Sequence, residues 1–378
     1  MKWSLKMGTF AGIGVYVHAT FALLIAYVIL REWNRAHDLY STLRSVAFVL
    51  LLFACVVLHE FGHALTAKRF GILTRDITLL PIGGVARLER MPEDPKQELW
   101  VAVAGPAVNA AIAAVLFLGF QATGNMPTME QLGSPQAPLL GQMMLVNVSL
   151  FVFNLLPAFP MDGGRVLRAL LAIRMEYARA TQIAASIGQA LAFALGILGF
   201  FFNPVLMFIA LFVWIGAEQE AGMVQMKSVL EGIPVQQAML TDFRTLAPED
   251  SLDHAVEILL AGSQRDFPVV EGSSIRGVLT QDRLFAALAR RESALVGSIM
   301  DPKFQVAEIG EALDAAFRKL QECECRVVPV MDQGRLAGLL TAENVGEFLI
   351  VQAARSQNRG PNLGFSRLGP PPGPRISG

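Results

Sequence analysis

Charged residues are scarce in this chain of 378 residues. They make up 17% of the sequence, while 53% is hydrophobic and the mean hydropathy is +0.46; soluble domains carry about 25% charged residues. A chain with so little charge could hardly bury its apolar side chains in water-soluble cores alone. The composition therefore predicts a membrane protein, and the length predicts at least two folding units.

An excess of positive charge is also missing. The 31 basic residues are balanced by 32 acidic ones, and such a balance gives no field that would gather a polyanion. We therefore expect no nucleic-acid partner. Cysteine is equally rare: Cys55, Cys323 and Cys325 are too few for a disulfide framework and fit a reducing compartment.

Long apolar runs, in contrast, are frequent in the first 221 residues. About 20 residues are needed to cross a bilayer, and about six stretches approach that length. They are Val15–Leu30, Ser45–Ala67, Glu98–Phe120, Leu139–Pro157, Gln189–Phe202 and Pro204–Ala221.

The basic residues predict how these spans are oriented, because Lys and Arg collect in cytosolic loops. Segments 68–97 and 161–188 are rich in them, whereas segment 121–138 has none. We therefore expect both ends of the chain in the cytosol, with the protein in the plasma membrane. Loop 31–44 has three arginines, although this orientation places it outside the cytosol. We keep the orientation because the other loops agree with it.

From residue 235 the sequence repeats itself at a fixed offset, as in the pairs Met239/Met300 and Pro268/Pro329. Each copy predicts a helix, a strand containing a proline, a turn, a second strand and a helix. The predicted helices are Leu252–Leu260 and Leu313–Leu320, and the predicted strands are Phe267–Val270, Ile275–Leu279, Val327–Val330 and Leu336–Leu340. The copies would form a soluble α/β pair. The tail, 355–378, is rich in Pro and Gly and is expected to be disordered.

One motif inside the second apolar run points to chemistry. His59, Glu60 and His63 form an H-E-x-x-H pattern, which on a helix places both histidines on one face, where they can bind one Zn²⁺. Glu60 stands beside that face as a general base. In soluble proteins such a pair is often an ordinary surface feature, but ionisable groups in a membrane span are costly and mark a functional site.

A third ligand is expected from another part of the chain, and the segment 154–165 offers Asp162. Pro157 and Pro160 must break the fourth span, and the glycine pair 163–164 would let the backbone turn sharply beside the acid. The alternative is an ordinary helix exit with a solvated aspartate. That alternative does not explain Asn154, which we expect to be buried.

These two motifs together resemble the site-2 protease family of intramembrane zinc metalloproteases. Gly105–Asn109 resembles the G-P-x-x-N element of that family, and Pro81–Ala86 resembles its membrane-dipping β-segment. The repeated pair resembles cystathionine-β-synthase-type (CBS) domains, which one branch of the family carries. The implied fold is a polytopic α-helical membrane domain of about six spans in residues 1–226, followed by a cytosolic α/β CBS-domain pair at 234–292 and 295–352.

The resemblance implies roles for individual residues. One zinc per chain would be bound by His59, His63 and Asp162, with Glu60 as general base and Asn154 near the scissile carbonyl. The substrate would be a membrane protein, cut in or near its transmembrane segment in regulated intramembrane proteolysis, with the lipid bilayer as the other partner. The positions of two polar residues stay open. Asn109 lies either in the catalytic chamber or in a small-residue helix contact, and His18 either faces the same cavity or is satisfied at the membrane interface.

The CBS resemblance suggests an adenine nucleotide as a second ligand and regulation of the protease as its purpose. Gly277–Thr280 and Gly338–Thr341 match the first half of the pattern G-h-h-T-x-x-D, where h is apolar. The position of the ribose-binding Asp holds Arg283 and Asn344 instead, and Asp282 stands one residue early. Arg283 could contact phosphate, but no nucleotide-binding residue is assigned. A homodimer formed through the pair, or substrate docking, is the alternative.

A different class of function also fits a metal site beside a soluble regulatory pair. The protein could be a membrane metal-binding sensor or transporter in which the metal is cargo. Glu60 argues against this class, because a transport site does not need a non-ligand carboxylate between its histidines, whereas hydrolysis does.

Overall fold

The computed structural model describes residues 3–81, 83–88, 92, 94–132, 137–290, 294–322 and 326–357. The chain divides into two compact units, with the boundary between Gln225 and Met226. Cys323 and Cys325, and residues 358–378 of the expected tail, lie outside the described residues.

The first unit combines one small sheet with a bundle of helices. Its elements are β1 (Ser4–Phe10), β2 (Ile13–His18), α1 (Thr20–Ala36), α2 (Leu39–Arg69), β3 (Thr74–Leu80), β4 (Gly83–Leu88), α3 (Pro95–Thr123), α4 (Met129–Leu132), α5 (Leu139–Asn154), α6 (Asp162–Ala172), α7 (Tyr177–Phe202) and α8 (Pro204–Leu230).

Four helices, α2, α3, α7 and α8, are long and apolar enough to cross a membrane, and α5 is a shorter apolar helix. The expected membrane domain is confirmed in this form, while the count of about six spans stays a prediction. The expected first span was wrong at its start. Val15–His18 belongs to strand β2, because Ala11 and Gly12 adopt positive φ and form the two-residue turn of a β-hairpin.

The sheet of the first unit has the order β1-β2-β3-β4. Strands β2 and β3 run parallel, and the other neighbours are antiparallel. Strand β4 therefore lies at one edge of the sheet. Of the β-segment expected at residues 81–86, residues 83–86 belong to strand β4, and Ile82 lies outside the described residues.

The local sequence explains where the two central helices begin. Asp38 caps α2 by accepting a hydrogen bond from the backbone N–H of Ser41 at 2.9 Å. Asp94 caps α3 in the same way through Lys96 at 2.8 Å, with Pro95 in the first turn. The two helices approach closely at Gly62, where an added Cβ would lie 2.7 Å from the carbonyl oxygen of Ala104.

A buried arginine connects several helices of this unit. Arg168 on α6 is fully buried, and its Nε donates to Glu98 Oε1 on α3 at 2.8 Å. Its Nη1 donates to Glu220 on α8, and its guanidinium lies 5.0 Å from the Phe159 ring and 4.9 Å from the Tyr177 ring. Breaking such a buried pair from one side costs about 3–5 kcal/mol, so Arg168 holds α6 firmly in place.

The second unit contains the expected α/β pair, and both copies have the elements that the repeat predicts. They are α9 (Leu252–Leu260), β5 (Phe267–Glu271), β6 (Ser274–Leu279), α10 (Gln281–Ala289) and α11 (Val296–Ile299), then β7 (Ala307–Glu308), α12 (Leu313–Glu322), β8 (Val327–Asp332), β9 (Arg335–Thr341) and α13 (Ala342–Gln357). Because α13 runs to Gln357, the first residues of the expected tail are helical.

The two copies exchange backbone hydrogen bonds in a reciprocal manner. Leu240 of the first copy pairs with Leu339 of the second, and Asp301 of the second pairs with Val278 of the first. The four N–H···O distances lie between 2.7 and 3.0 Å. Each exchange needs a glycine: an added Cβ on Gly277 would lie 2.7 Å from the carbonyl oxygen of Asp301.

Replacing Asp266 by Asn should stabilise the first CBS copy at neutral pH. Burial raises the pKa of the Asp266 carboxyl, although the backbone N–H of Gln281 donates to it at 3.0 Å. As the pH rises, this carboxyl therefore ionises at lower pH in the unfolded chain than in the folded one. Its ionisation lowers the free energy of unfolding above the raised pKa and has no effect below the ordinary value of 3.8.

Hydrogen exchange of strand β5 in the full chain checks this prediction when the variant and the wild type are compared at each pH. The Asn side chain can still accept the Gln281 hydrogen bond. We expect slower exchange in the variant at neutral pH and equal exchange in acid. Faster exchange at neutral pH would mean that the carboxylate stabilises the strand.

Candidate active site

Three side chains from distant parts of the sequence meet inside the first unit. His59 Nε2 and His63 Nε2 lie 3.1 Å apart, and Asp162 Oδ2 lies 3.2 Å from the first and 3.1 Å from the second. All three residues are buried, with exposed fractions of 5–7%. Within the part of the chain that the structure describes, they form the single cluster of three such groups that could hold a metal ion.

Two elements supply these side chains. Helix α2 carries both histidines near its C-terminal end, one turn apart, so that both rings face α3. Asp162 is the first residue of α6, where the partial positive charge of the helix N-terminus favours a carboxylate. Its second oxygen lies 3.9 Å from Arg165 Nη1, which leaves Oδ2 directed at the histidines.

The hydrogen bonds of the histidine rings suit a metal ion. His63 Nδ1 lies 2.7 Å from the carbonyl oxygen of Val101, which can only accept, so in the neutral ring Nδ1 carries the proton and Nε2 presents a lone pair. His59 Nδ1 bonds to Asn109 Oδ1 with the same result. Three acceptor atoms about 3.3 Å apart are what a tetrahedral zinc with bonds of about 2.0–2.1 Å requires.

Gly105 on α3 provides the space for this cluster. A Cβ at this position would lie 2.2 Å from His63 Nε2 and 2.7 Å from His59 Nε2. Any larger residue would therefore displace the ligand nitrogens. The G-P-x-x-N element, for which a place in the catalytic chamber and a helix contact were both open, contributes this open space and Asn109.

The loop that delivers Asp162 is built as expected in one respect and differently in another. Helix α5 ends at Asn154, before the prolines, as predicted. The prediction for the glycine pair was wrong, since both glycines lie in the first turn of α6. They are needed because the loop folds back onto them: an added Cβ on Gly163 would lie 2.1 Å from the carbonyl oxygen of Leu156.

Glu60 lies under the edge strand of the sheet. An added Cβ on Gly84 of β4 would be 2.9 Å from Glu60 Cγ and 3.5 Å from Oε1. Among the described residues the carboxylate has no hydrogen-bond or ion-pair partner. Glu60 is thus a half-buried, unpaired carboxylate next in sequence to His59 and outside the group that could bind metal.

Three asparagines have different positions. Asn154, expected to be buried, is only half-buried, because it is the last residue of α5 and the helix ends there. Asn109 is fully buried against His59. Asn147 was missed by the sequence analysis; it is also fully buried and accepts a hydrogen bond from Asn109. A polar residue in the apolar run Leu139–Pro157 was the signal that could have identified it.

Other candidate residues lie outside this cluster. His18 bonds to Thr20 at 2.9 Å, in agreement with its satisfied alternative. In the second unit, Arg283 Nη2 forms an ion pair with Asp301 at 3.0 Å, and Asp282 lies 3.8 Å from Arg326. Asn344 bonds to Thr341. Each residue considered for nucleotide binding therefore already has a partner within the second unit.

Comparison with known proteins gives two family matches. The sequence profile of peptidase family M50 matches residues 47–195, and that of the CBS domain matches residues 235–290 and 296–350. A zinc metalloprotease of Methanocaldococcus jannaschii is 32% identical over 347 residues, which cover 91% of this chain and 96% of the relative.

Solved structures are similar to each part of the chain. The site-2 protease from Methanocaldococcus jannaschii is 38% identical and covers 58% of this chain and 95% of its own, with a TM-score of 0.43. The CBS-pair protein CBSX2 from Arabidopsis thaliana is 28% identical and covers 34% of this chain and 99% of its own, with a TM-score of 0.30.

Replacing Gly105 by Ala should weaken zinc binding, because the added methyl group would overlap both ligand nitrogens. We expect a loss of affinity of at least about tenfold, comparable to disturbing a ligand's supporting shell. Competition with a chelator of known affinity measures it on the purified chain.

Gly119→Ala is the matched control, since Gly119 lies on the same helix and no atom of another described residue that could clash lies within 4 Å of an added Cβ. It should bind zinc like the wild type. Equal affinity in both alanine variants would contradict the assignment of Gly105.

Proposed function

Because the chain belongs to peptidase family M50, the zinc-dependent site-2 proteases, we propose that it hydrolyses a peptide bond in or near the transmembrane segment of a membrane-protein substrate. The observation that supports this proposal is the buried cluster of His59, His63 and Asp162, whose three acceptor atoms lie within 3.2 Å of one another. In this proposal the three residues bind one zinc ion per chain. The ion, when bound, supplies polarisation of the substrate carbonyl and acidification of water.

Glu60 is the proposed general base. Its carboxylate is unpaired among the described residues and follows a ligand directly in sequence, so it can accept a proton from the attacking water and donate it to the leaving amine. Proton transfer of this kind contributes about 10²–10⁴-fold to a rate.

Asn154 is proposed to donate a hydrogen bond to the scissile carbonyl oxygen. It is the last residue of α5 and is half-buried. Only the loop before Asp162 separates it from that proposed ligand. The Asn154 side chain makes no hydrogen bond within the described residues, so its side-chain amide is available to substrate. A neutral donor stabilises a developing oxyanion without adding a charge to an apolar site.

Hydrolysis needs water, and the position of the site along α2 suggests where water enters. The helix has 31 residues and ends at Arg69, so the two histidines lie roughly 9–15 Å along the axis from that end. The adjoining segment 68–97 is rich in basic residues and is therefore placed in the cytosol. We infer a shallow site that is reached by water from the cytosolic side.

The substrate is proposed to bind as a strand along β4. A transmembrane helix hides its carbonyls in hydrogen bonds and must unwind before it can be cut, which leaves backbone groups that lipid cannot satisfy. Strand β4 is at the sheet edge, and its Gly84 packs on Glu60. Strand addition at this edge would satisfy the exposed groups and hold the peptide beside the base.

The protein is a multi-pass integral membrane protein, as its apolar helices and its family indicate. We further propose that it lies in the plasma membrane with both ends in the cytosol. The distribution of basic residues among the loops supports this orientation.

Replacing Glu60 by Gln should abolish cleavage and leave zinc binding intact, because Gln keeps the shape of the side chain but cannot accept the proton. We expect a rate loss of about 10²–10⁴-fold. Asp162→Ala should lose both zinc binding and cleavage, since it removes a ligand. Zinc content and cleavage of a transmembrane substrate, measured on the same preparations, check the pair.

The same experiment separates the protease from a metal sensor or transporter. A transporter would keep its metal transport in Glu60→Gln. Neither the wild type nor any variant of a transporter or sensor would cleave the substrate. Full zinc occupancy in Asp162→Ala would remove that residue from the ligand set.

The CBS pair is proposed to regulate the protease by dimerisation or by docking of a substrate. A homodimer formed through the pair and a docked substrate are the two alternatives. An adenine nucleotide is less well supported, because Arg283 is already paired with Asp301 and the ribose-binding acid is replaced by Arg283 and Asn344.

Millimolar ATP, ADP or AMP should leave the melting temperature of the full chain unchanged. A ligand that binds only the folded state must raise it, so thermal unfolding of the purified protein with each nucleotide is a direct measurement. Added zinc is the positive control and should raise the transition of the first unit. A nucleotide-dependent rise would contradict the docking function and favour nucleotide regulation.

A further inference from the structure

A chain of two buried asparagines extends from His59 away from the proposed metal. His59 Nδ1 bonds to Asn109 Oδ1 on α3, and Asn109 Nδ2 donates to Asn147 Oδ1 on α5 at 2.9 Å. Asn147 Nδ2 donates to the backbone carbonyl of Met143 at 2.9 Å. Both asparagines are fully buried, so they have no water to replace these bonds.

The direction of every hydrogen bond in this series of side chains is fixed at the end that lies away from His59. The carbonyl oxygen of Met143 can only accept, so the amide of Asn147 must direct its NH₂ group there. The second hydrogen of that group faces Cys55 Sγ, a weak acceptor, at 3.4 Å. The oxygen of Asn147 is then left for Asn109.

The same logic continues to the ligand. Because the oxygen of Asn147 can only accept, Asn109 must present its NH₂ group to it and its oxygen to His59. His59 Nδ1 must therefore carry the proton, and Nε2 must present its lone pair to the cluster. Reversing either amide would place two donors or two acceptors against each other in a buried site, where no water can replace the lost bond.

We propose that Asn147 and Asn109 act in series as positioning residues that fix the tautomer of His59 and thereby the zinc affinity of the site. The inference rests on the proposed zinc site and deepens it. Among the described residues Asn147 has no hydrogen bond to a proposed ligand, and its connection to His59 runs through Asn109. The tautomer of His63, in contrast, is set by the backbone carbonyl of Val101, which no side-chain substitution removes.

Substitutions at Asn109 distinguish positioning from packing. Asn109→Leu removes the acceptor for His59 and should weaken zinc binding about 10–100-fold, as loss of a supporting hydrogen bond to a ligand does. Asn109→Asp keeps an acceptor facing Nδ1 and should retain zinc. A residue needed only for packing would show the opposite order, because a buried apolar side chain is better tolerated than an unpaired carboxylate.

A double-mutant cycle tests whether the two asparagines act in series. Asn147→Leu should weaken zinc binding in the wild-type background, since Asn109 is then free to present either end of its amide. In the Asn109→Asp background the same change should cause no loss, because both carboxylate oxygens accept and need no orientation, and because it also removes the Asn147 oxygen that would face one of them. Equal losses in both backgrounds would overturn the proposal.

A spectroscopic measurement tests the tautomer without zinc. The chain has five histidines, so ¹⁵N-histidine labelling gives few signals, and His59→Gln identifies that of His59. At a pH well above the ordinary histidine pKa, the zinc-free wild type should show a protonated Nδ1 at His59, and Asn147→Leu should show both tautomers. A protonated Nε2 in the wild type would overturn the inference even if every variant failed to fold.

The controls separate this inference from the proposed function. Thr181→Val removes a different buried polar group, a hydroxyl that bonds to the backbone of its own helix, and should leave zinc affinity unchanged. If the wild type binds no zinc, the proposed function fails, while the tautomer measurement on the zinc-free protein still tests the inference. If the wild type binds zinc but Asn147→Leu and Asn109→Leu bind it equally well, only the inference fails.

Discussion

Three unprotonated acceptor atoms within 3.2 Å of one another repel each other unless a cation lies between them, and the rest of the first unit serves to hold them there. Each imidazole is held from behind by an acceptor, one in the backbone of α3 and one on the side chain of Asn109. The carboxylate stands at the start of a helix that a buried arginine connects to two others. The cluster is therefore kept in place by groups that do not bind metal themselves.

Helix α3 has the central position in this arrangement. It carries the Val101 carbonyl, the open space at Gly105 and the amide of Asn109, and Glu98 in its first turn accepts from Arg168. The Arg168 guanidinium also packs on Phe159 in the loop before Asp162. One helix thus positions the two histidines on one side and the aspartate on the other, through contacts that differ in chemistry.

The sequence predicted those parts of the molecule in which a local pattern carries the chemistry. The H-E-x-x-H spacing placed both histidines on one helical face, and the repeat predicted the strands and helices of the CBS pair. It failed where the reason for a residue lies in a distant contact. The glycines after Asp162 are required by a loop carbonyl that packs against them, and Asn147 is required by a partner on another helix. The strand at Val15 was missed because an apolar run has no periodicity that separates strand from helix.

The reciprocal pairing in the second unit makes its two copies a closed duplication. Leu240 completes a sheet edge in the later copy, and Asp301 completes the equivalent edge in the earlier one, so an approximate twofold axis relates the two exchanges. A single copy would therefore leave an unpaired strand edge, which invites aggregation. During synthesis the first copy must wait for the second before its edge is covered. The two copies therefore depend on each other, and deletion of either one would expose a strand edge of the copy that remains.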